Sequence, residues 1–430
     1  MDLKRNAILL VVIMATVNLY SQDIFKDSLR ISLSQADSLF LRNNVTLLAE
    51  KCNVEAAKAQ ILQARLFQNL NLSLSQNLVN SDYKTTGGRK WIDLSNNGEA
   101  SIQVQKLFLM AGKRNKQISL AEASFDREGH TYFDLLRTLK FTLHTCFYNI
   151  HYLNRTLKVY DNEIASIRKL TEALQVQFEK EYISKSELLR LKSKLFSLEN
   201  EKLQITNQLV NSMSDLNLLF HTSDVYYSTQ TVDDEKDSFN PEAVKLQSLI
   251  DSAFQFRYDL RIAESDLKIS KLNLSYQKSV AVPDITLSGG WDRNGSFIHN
   301  YNYLGVQFDL PFFNRNQGNI KSAMSQAESS RYKLLAAGDQ VKADVINAFS
   351  GAIETDKIYK AFDSKFISDL EDLNRGLVKN YRERNMSLIE FLDYYDAYKE
   401  NAIQLNNLLY NRHYSIENIN FSVGNEIIKN

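Results

Sequence analysis

The stretch Tyr303-Leu304-Gly305-Val306-Gln307-Phe308-Asp309-Leu310 decides how this chain is read. Leu304, Val306, Phe308 and Leu310 fall on one side, and Tyr303, Gly305, Gln307 and Asp309 on the other. Period two is the signature of an amphipathic strand. Pro311 ends the run, and from Asn319 to about Glu383 the pattern is that of one long helix. The same alternation appears at three further places. Leu70, Leu72 and Leu74 alternate with Asn71 and Ser73. Ala100, Ile102 and Val104 alternate with Ser101 and Gln103. Ile285, Leu287 and Trp291 share a face. Each run is about 9 to 11 residues long, which is what a tilted strand needs to cross a bilayer. The stretches between the paired runs, Asn80 to Asn97 and Asp292 to Asn300, read as polar loops. An ordinary soluble hairpin in each half has the same periodicity, so alternation alone leaves both readings open.

Around these runs the chain is helical. It has 3 prolines and 14 glycines in 430 residues, where average usage would give roughly 20 and 30. Nine of the glycines lie in two windows, Gly87 to Gly112 and Gly289 to Gly318, which hold the strand pairs. Between His130 and Asn240 there is neither glycine nor proline, and Leu157, Tyr160, Ile164, Ile167, Leu170 and Leu174 recur at helical spacing. From Lys113 to about Lys180 a single helix would be roughly 100 Å long at 1.5 Å per residue. Gly129, Gly338, Gly351 and Gly376 are weak points in the long helices rather than stops. Helices of this length belong in a coiled coil or a shared tube.

Composition removes several classes. Lysine plus arginine and aspartate plus glutamate both number 51, so the basic excess of a nucleic-acid binder is missing. Cys52 and Cys146 are too few for a disulfide scaffold or a cysteine-rich metal site. A mean hydropathy of -0.33 excludes a polytopic helical membrane protein. Residues 1–21 read as a secretory signal, with Lys4 and Arg5 before the apolar run Ala7 to Val17 and cleavage after Ser21. No later run approaches the ~18 apolar residues of a spanning helix, so an exported chain that sits in a membrane must do so through strands. His144 and His151, seven apart on one helix face with Cys146 off that face, allow a metal pair, but a packing role is the favoured reading. Lys113-Arg114 lacks the glycines of a phosphate loop, and no nucleophile-elbow, Walker or zinc-protease motif is present, so no enzyme and no cofactor are expected.

The halves repeat each other at offsets of about 202 to 215. Ala49-Glu50 matches Ala263-Glu264, Val104-Gln105 matches Val306-Gln307, and Phe178 to Leu189 matches Tyr381 to Leu392. The expected organisation is a signal at 1–21, a first repeat at 22–222, a linker at 223–241 and a second repeat at 242–430. Four strands cannot by themselves close a membrane barrel around a channel, so oligomerisation is required.

Together these features resemble the TolC family of outer-membrane channels over essentially the whole mature length. The carriers are Leu33 to Asn44 (LSQADSLFLRNN), Ala56 to Arg65 (AAKAQILQAR) and Pro283-Asp284-Ile285-Thr286-Leu287. The junctions Ala111-Gly112-Lys113-Arg114 and Pro311 to Ile320 (PFFNRNQGNI) resemble the cation-efflux branch typified by CzcC. The resemblance implies a mainly α fold with a membrane β-barrel. A homotrimer would share twelve strands, four per protomer, above a helical periplasmic tube. It implies outer-membrane lipid around the barrel, and a periplasmic adaptor and an inner-membrane pump of the RND type as partners. The cargo would be heavy-metal cations or drugs. It further implies an acidic pore entrance at Glu390 and Asp393, three apart and so on one helix face. A latch would join Tyr381 to Glu187, with Met386 where arginine is expected and Arg384 and Arg382 nearby. Adaptor-docking tips would lie around Tyr182, Ser184, Asn385 and Ser387. Tyr182 and Asn385 replace the family's tip glycines, so a differently shaped first tip is expected, because tyrosine adopts the left-handed conformation less readily than asparagine. Aromatic residues flanking the strands (Tyr83, Trp91, Trp291, Phe297, Tyr301, Tyr303, Phe312, Phe313) would form an interfacial belt. A periplasmic coiled-coil adaptor would explain the long helices but not the two strand pairs.

Overall fold

The computed structural model describes residues 27–76, 100–223, 225–229, 241–294, 298–361, 369, 372, 376–377, 379–381 and 383–428. The signal segment and the loop between Asn80 and Asn97 lie outside them. After strand β1 (Asp27–Ile31), the first repeat runs α1 (Leu33–Asn43), α2 (Val45–Arg65), β2 (Asn71–Gln76), β3 (Ala100–Phe108), α3 (Lys113–Glu179) and α4 (Lys185–Phe220). Strand β4 (Val225–Thr229) follows. The second repeat runs α5 (Leu246–Phe256), α6 (Tyr258–Val280), β5 (Ile285–Asn294), β6 (His299–Gln307), α7 (Gln317–Ala361) and α8 (Leu388–Val423). The element order is the same twice over, and α4 and α8 have the same length of 36 residues.

Local chemistry sets the boundaries. Ser32 and Gln35 form a capping box at the start of α1. Asn44 ends α1 and starts α2: its Oδ1 accepts from the Leu47 N–H at 2.8 Å, while its Nδ2 donates to the Leu219 carbonyl at the end of α4. The 67-residue α3 starts at Gly112, whose φ of 68° follows Ala111 at 53°. Two successive left-handed residues turn the strand into the helix, and glycine takes that conformation without steric penalty.

The strands β2-β3-β5-β6 form one antiparallel sheet. Beneath it the helices keep the same lateral order. Packing neighbours run α2-α3-α6-α7 near the sheet and α4-α3-α8-α7 farther down. One flank of the protomer is therefore β2, α2 and α4, and the other is β6 and α7. Both flanks carry exposed apolar residues: Leu189, Phe196 and Leu203 on α4 repeat every seven residues, and Met324, Tyr332 and Leu335 lie on α7.

Three cores fill the protomer. One joins α1, α3 and α4 around Phe40, Leu143, Phe147 and Met213. One joins α5, α6, α7 and α8 around Leu249, Val341 and Ile419. The third, at the tip, takes Ile167 and Leu170 from α3, Leu191 and Leu198 from α4, and Phe391 and Tyr395 from α8, so it is shared by both repeats.

Three expectations change. The run read as a strand to Leu310 ends at Gln307, so Phe308, Asp309 and Leu310 leave the ladder before Pro311. The segment Asp292 to Asn300 is not all loop: Asp292 pairs with Tyr301 and Asn294 with His299, so the ladder carries the hairpin farther than the polarity of these side chains indicates. The stretch after the first repeat holds β4, which pairs in parallel with β1 in a separate two-stranded sheet.

Candidate functional site: barrel wall and tube tips

The register sorts every strand residue onto one of two faces. Leu72 and Leu74 (β2), Ile102 and Val104 (β3), Leu287 and Trp291 (β5), and Leu304 and Val306 (β6) share one. Leu304 on it is 94% exposed. The other face carries Asn71, Ser73, Ser101, Gln103, Gln105, Ser288, Tyr301, Tyr303 and Gln307. The first face also carries Lys106 and Asn302. A sheet with a mainly apolar face and, among the described residues, two unpaired edges suits lipid outside and water inside, once copies close it. Of the aromatic belt residues, Trp291 shares the lipid face and Phe313, past the end of β6, is 96% exposed. Tyr301 and Tyr303 do not belong to such a belt, because the pleat turns them to the polar face. Tyr83, Trp91 and Phe297 lie outside the described residues.

The two junction motifs hold sheet to tube. Lys113 is buried, and its Nζ lies 2.8 Å from Asp284 and donates to the Val282 carbonyl at 2.7 Å. Asp284 also accepts from the Met110 N–H. The motif of the first repeat thus clamps the strand start of the second. Arg114 donates to the Arg65 carbonyl and stacks on Phe67, which accounts for this basic pair without phosphate. In the second repeat, Asn316 takes the left-handed conformation (φ 59°) and its Nδ2 donates to the carbonyl and side chain of Gln277.

At the opposite end, each hairpin turns through the same Schellman motif. In the first, Tyr182 N–H donates to the Gln177 carbonyl and Glu181 N–H to that of Phe178. In the second, Asn385 N–H donates to Asn380 and Arg384 N–H to Tyr381. The left-handed residues are Glu181 and Arg384, one position before those expected. Tyr182 therefore bears no left-handed strain, and the expectation of a differently shaped first tip is corrected: the two turns match. Tyr182, 69% exposed, stands out from the turn.

The returning helices begin alike. Ser184 caps α4 by accepting from the Glu187 N–H, and Ser387 caps α8 by accepting from the Glu390 N–H. Glu390 returns the bond, its Oε2 accepting from the Ser387 N–H at 2.8 Å. That backbone hydrogen bond holds its carboxyl below the usual range, so Glu390 stays ionised and fixed. Asp393 is exposed one turn on. Tyr381 is half-buried, stacked on Phe391, and its phenol is pushed up by burial and then by the nearby Glu187 carboxylate. Glu187 thus acts on Tyr381 through its charge within one protomer. Met386 packs against the tip core, and Arg382 lies outside the described residues.

Sequence reasoning missed a set of ties between the hairpins. Lys399 of α8 is buried, with its Nζ 2.7 Å from Glu201 of α4, which also accepts from the Tyr160 hydroxyl. Burial opposes ionisation of Glu201, but Lys399 outweighs it and holds the carboxyl below its usual range. Lys194 pairs with Asp396, and the Tyr395 hydroxyl donates to the Glu163 carbonyl at 2.8 Å. Asp396 and Lys399, three apart, look like an ordinary solvated pair in sequence. Only the tip core shows that they face another helix.

The two histidines do not converge. His144 Nε2 lies 3.0 Å from Asp37 and its Nδ1 3.0 Å from Glu417, whereas His151 contacts Thr229. Among the described residues no group of three or more histidine, cysteine, aspartate or glutamate side chains is arranged to hold a metal.

An open amphipathic sheet continuous with a sheath of long helices is the architecture of a channel subunit that needs copies of itself to close. Residues 38–220 match the family described as outer membrane efflux protein. The chain is 21% identical over 306 residues to the cobalt-zinc-cadmium resistance protein CzcC of Cupriavidus metallidurans, covering 71% of this chain and 69% of CzcC. Its fold matches that of CusC with a TM-score of 0.74 at 16% identity, over 94% of this chain and 93% of CusC. It matches the CmeC outer membrane channel of Campylobacter jejuni at 0.73 and 14%, over 92% and 87% of the two chains. The open-state MtrE channel of Neisseria gonorrhoeae matches at 0.69 and 16%, over 92% and 89%. Over residues 38–220 the chain thus matches the outer membrane efflux family's model, and its overall fold is that of these solved outer membrane channels. The family is one of channel proteins that work with periplasmic adaptors and inner-membrane pumps.

Proposed function

We propose that this chain forms the passive exit duct of a tripartite system that expels cations, driven by an inner-membrane pump of the RND type. The observation that carries the duct is the four-stranded sheet, mainly apolar on one face, polar on the other and, among the described residues, open at both edges. Outer-membrane lipid covers the apolar face. The cation assignment rests on the likeness to CzcC, a protein named for resistance to cobalt, zinc and cadmium. The identical element order of the two repeats supports their division at 22–222 and 242–430, with a linker at 223–241.

At the tube end, Glu390 and Asp393 supply stacked acidic rings when three copies assemble, which favours cations over anions. Tyr381 and Glu187 latch the two hairpins. The exposed turn residues Tyr182, Ser184, Asn385 and Ser387 receive the adaptor. The test of the pore entrance is the reversal potential across a salt gradient in planar bilayers. Glu390→Gln with Asp393→Asn should shift it toward zero, and an unchanged value would remove these residues from the ion path.

A further inference from the structure

The tyrosines of β6 occupy the water-facing wall, and the wall is shaped to receive one of them. Register places Tyr303 directly across from Gly290. A Cβ added at Gly290 would stand 2.7 Å from Cε1, Cζ and the hydroxyl oxygen of Tyr303. The phenol therefore lies along the wall, in the volume that a side chain at 290 would fill. Tyr301, two residues earlier on the same face, stacks on it with ring centroids 5.9 Å apart and planes 16° from parallel. The neighbouring wall positions carry short or uncharged side chains at Ser101, Gln103, Gln105 and Ser288, with Asp292 across from Tyr301.

We propose that Gly290 is a seat which holds Tyr303 flat against the barrel wall and so sets the bore of the exit. Any side chain at 290 displaces the ring, because ring atoms at 2.7 Å cannot coexist with a Cβ. The ladder occupies the wall side, so the displaced ring moves toward the axis. Threefold repetition places three such rings at one level. The inference rests on the reading of the polar face as the lumen, and the experiment separates the two.

A single reporter cysteine replaces Gln105, which faces the lumen one level nearer the periplasm than Gly290, with Cys52 and Cys146 changed to serine. Membrane-impermeant maleimides of graded size are applied from outside to cells carrying the full-length channel, so the tube tips do not enter the readout. The trimer mass in detergent checks assembly of each variant. With Gly290 the large reagent should label Gln105→Cys; Gly290→Val should slow it severalfold while sparing the small reagent. Adding Tyr303→Ala to Gly290→Val should restore the rate. Equal rates with and without Gly290→Val, no rescue by Tyr303→Ala, or no labelling with Gly290 intact would each overturn the seat. Labelling of a Val306→Cys reporter in place of Gln105→Cys would mean that the faces are reversed and would overturn the barrel reading with it.

Discussion

His144 shows how one side chain joins the two repeats. Its imidazole sits between Asp37 of α1 and Glu417 of α8. Burial alone would lower its pKa, but the two carboxylates outweigh burial and raise it to about 9. A folded value above the unfolded one means that the protonated form stabilises the fold. That stability is fully present below the unfolded value of about 6.5 and is lost as pH rises through about 9. The difference corresponds to on the order of 3 kcal/mol per protomer. Thermal unfolding in detergent should therefore show the wild type losing more stability than His144→Gln between pH 6 and pH 10. Parallel pH profiles would contradict the pairing. The sequence shows His144 seven residues from His151, but nothing in that spacing announces Asp37 and Glu417, which arrive from helices at opposite ends of the chain. Lys113 and Asp284 are the converse case: both stand in motifs that are visible in sequence, yet only the fold shows that the motifs meet.

At the scale of elements, the strands and the long helices are legible because their burden is uniform. Lipid on one side and water on the other enforce period two along Leu304 to Gln307, where the ladder ends, and a glycine-free run of helix formers favours helix. The short parallel pair β1 and β4 is not legible, since five residues without clean alternation carry too little pattern. The turns at the tips are legible in place but not in phase. The left-handed position depends on the last helical hydrogen bond, and Glu181 and Arg384 lack the glycine that would mark it. Matched turns and matched serine caps give the two hairpins equivalent backbones, on which Glu181 and Tyr182 stand where the second has Arg384 and Asn385. Photo-crosslinkers at Tyr182 and at Asn385 should both capture the cognate periplasmic adaptor in cells, whereas one at Leu203, on the α4 flank above the tip, should capture another copy of the channel. Capture of the adaptor from Leu203 alone would contradict docking at the tips.

At the scale of the molecule, the protomer is unfinished along its whole length. The flank made by β2, α2 and α4 and the flank made by β6 and α7 leave ladder groups and apolar side chains uncovered. Flanks that differ from each other give a head-to-tail contact, which closes only as a ring. On the proposed assembly, barrel and tube are completed by the same rotation, because strands and helices keep one lateral order. The most direct measurement of this claim is the native mass of the detergent-extracted protein from separated outer membranes. The result predicted is a trimer of the processed chain that leaves the membrane only with detergent. A monomer or dimer released without detergent would contradict the shared barrel.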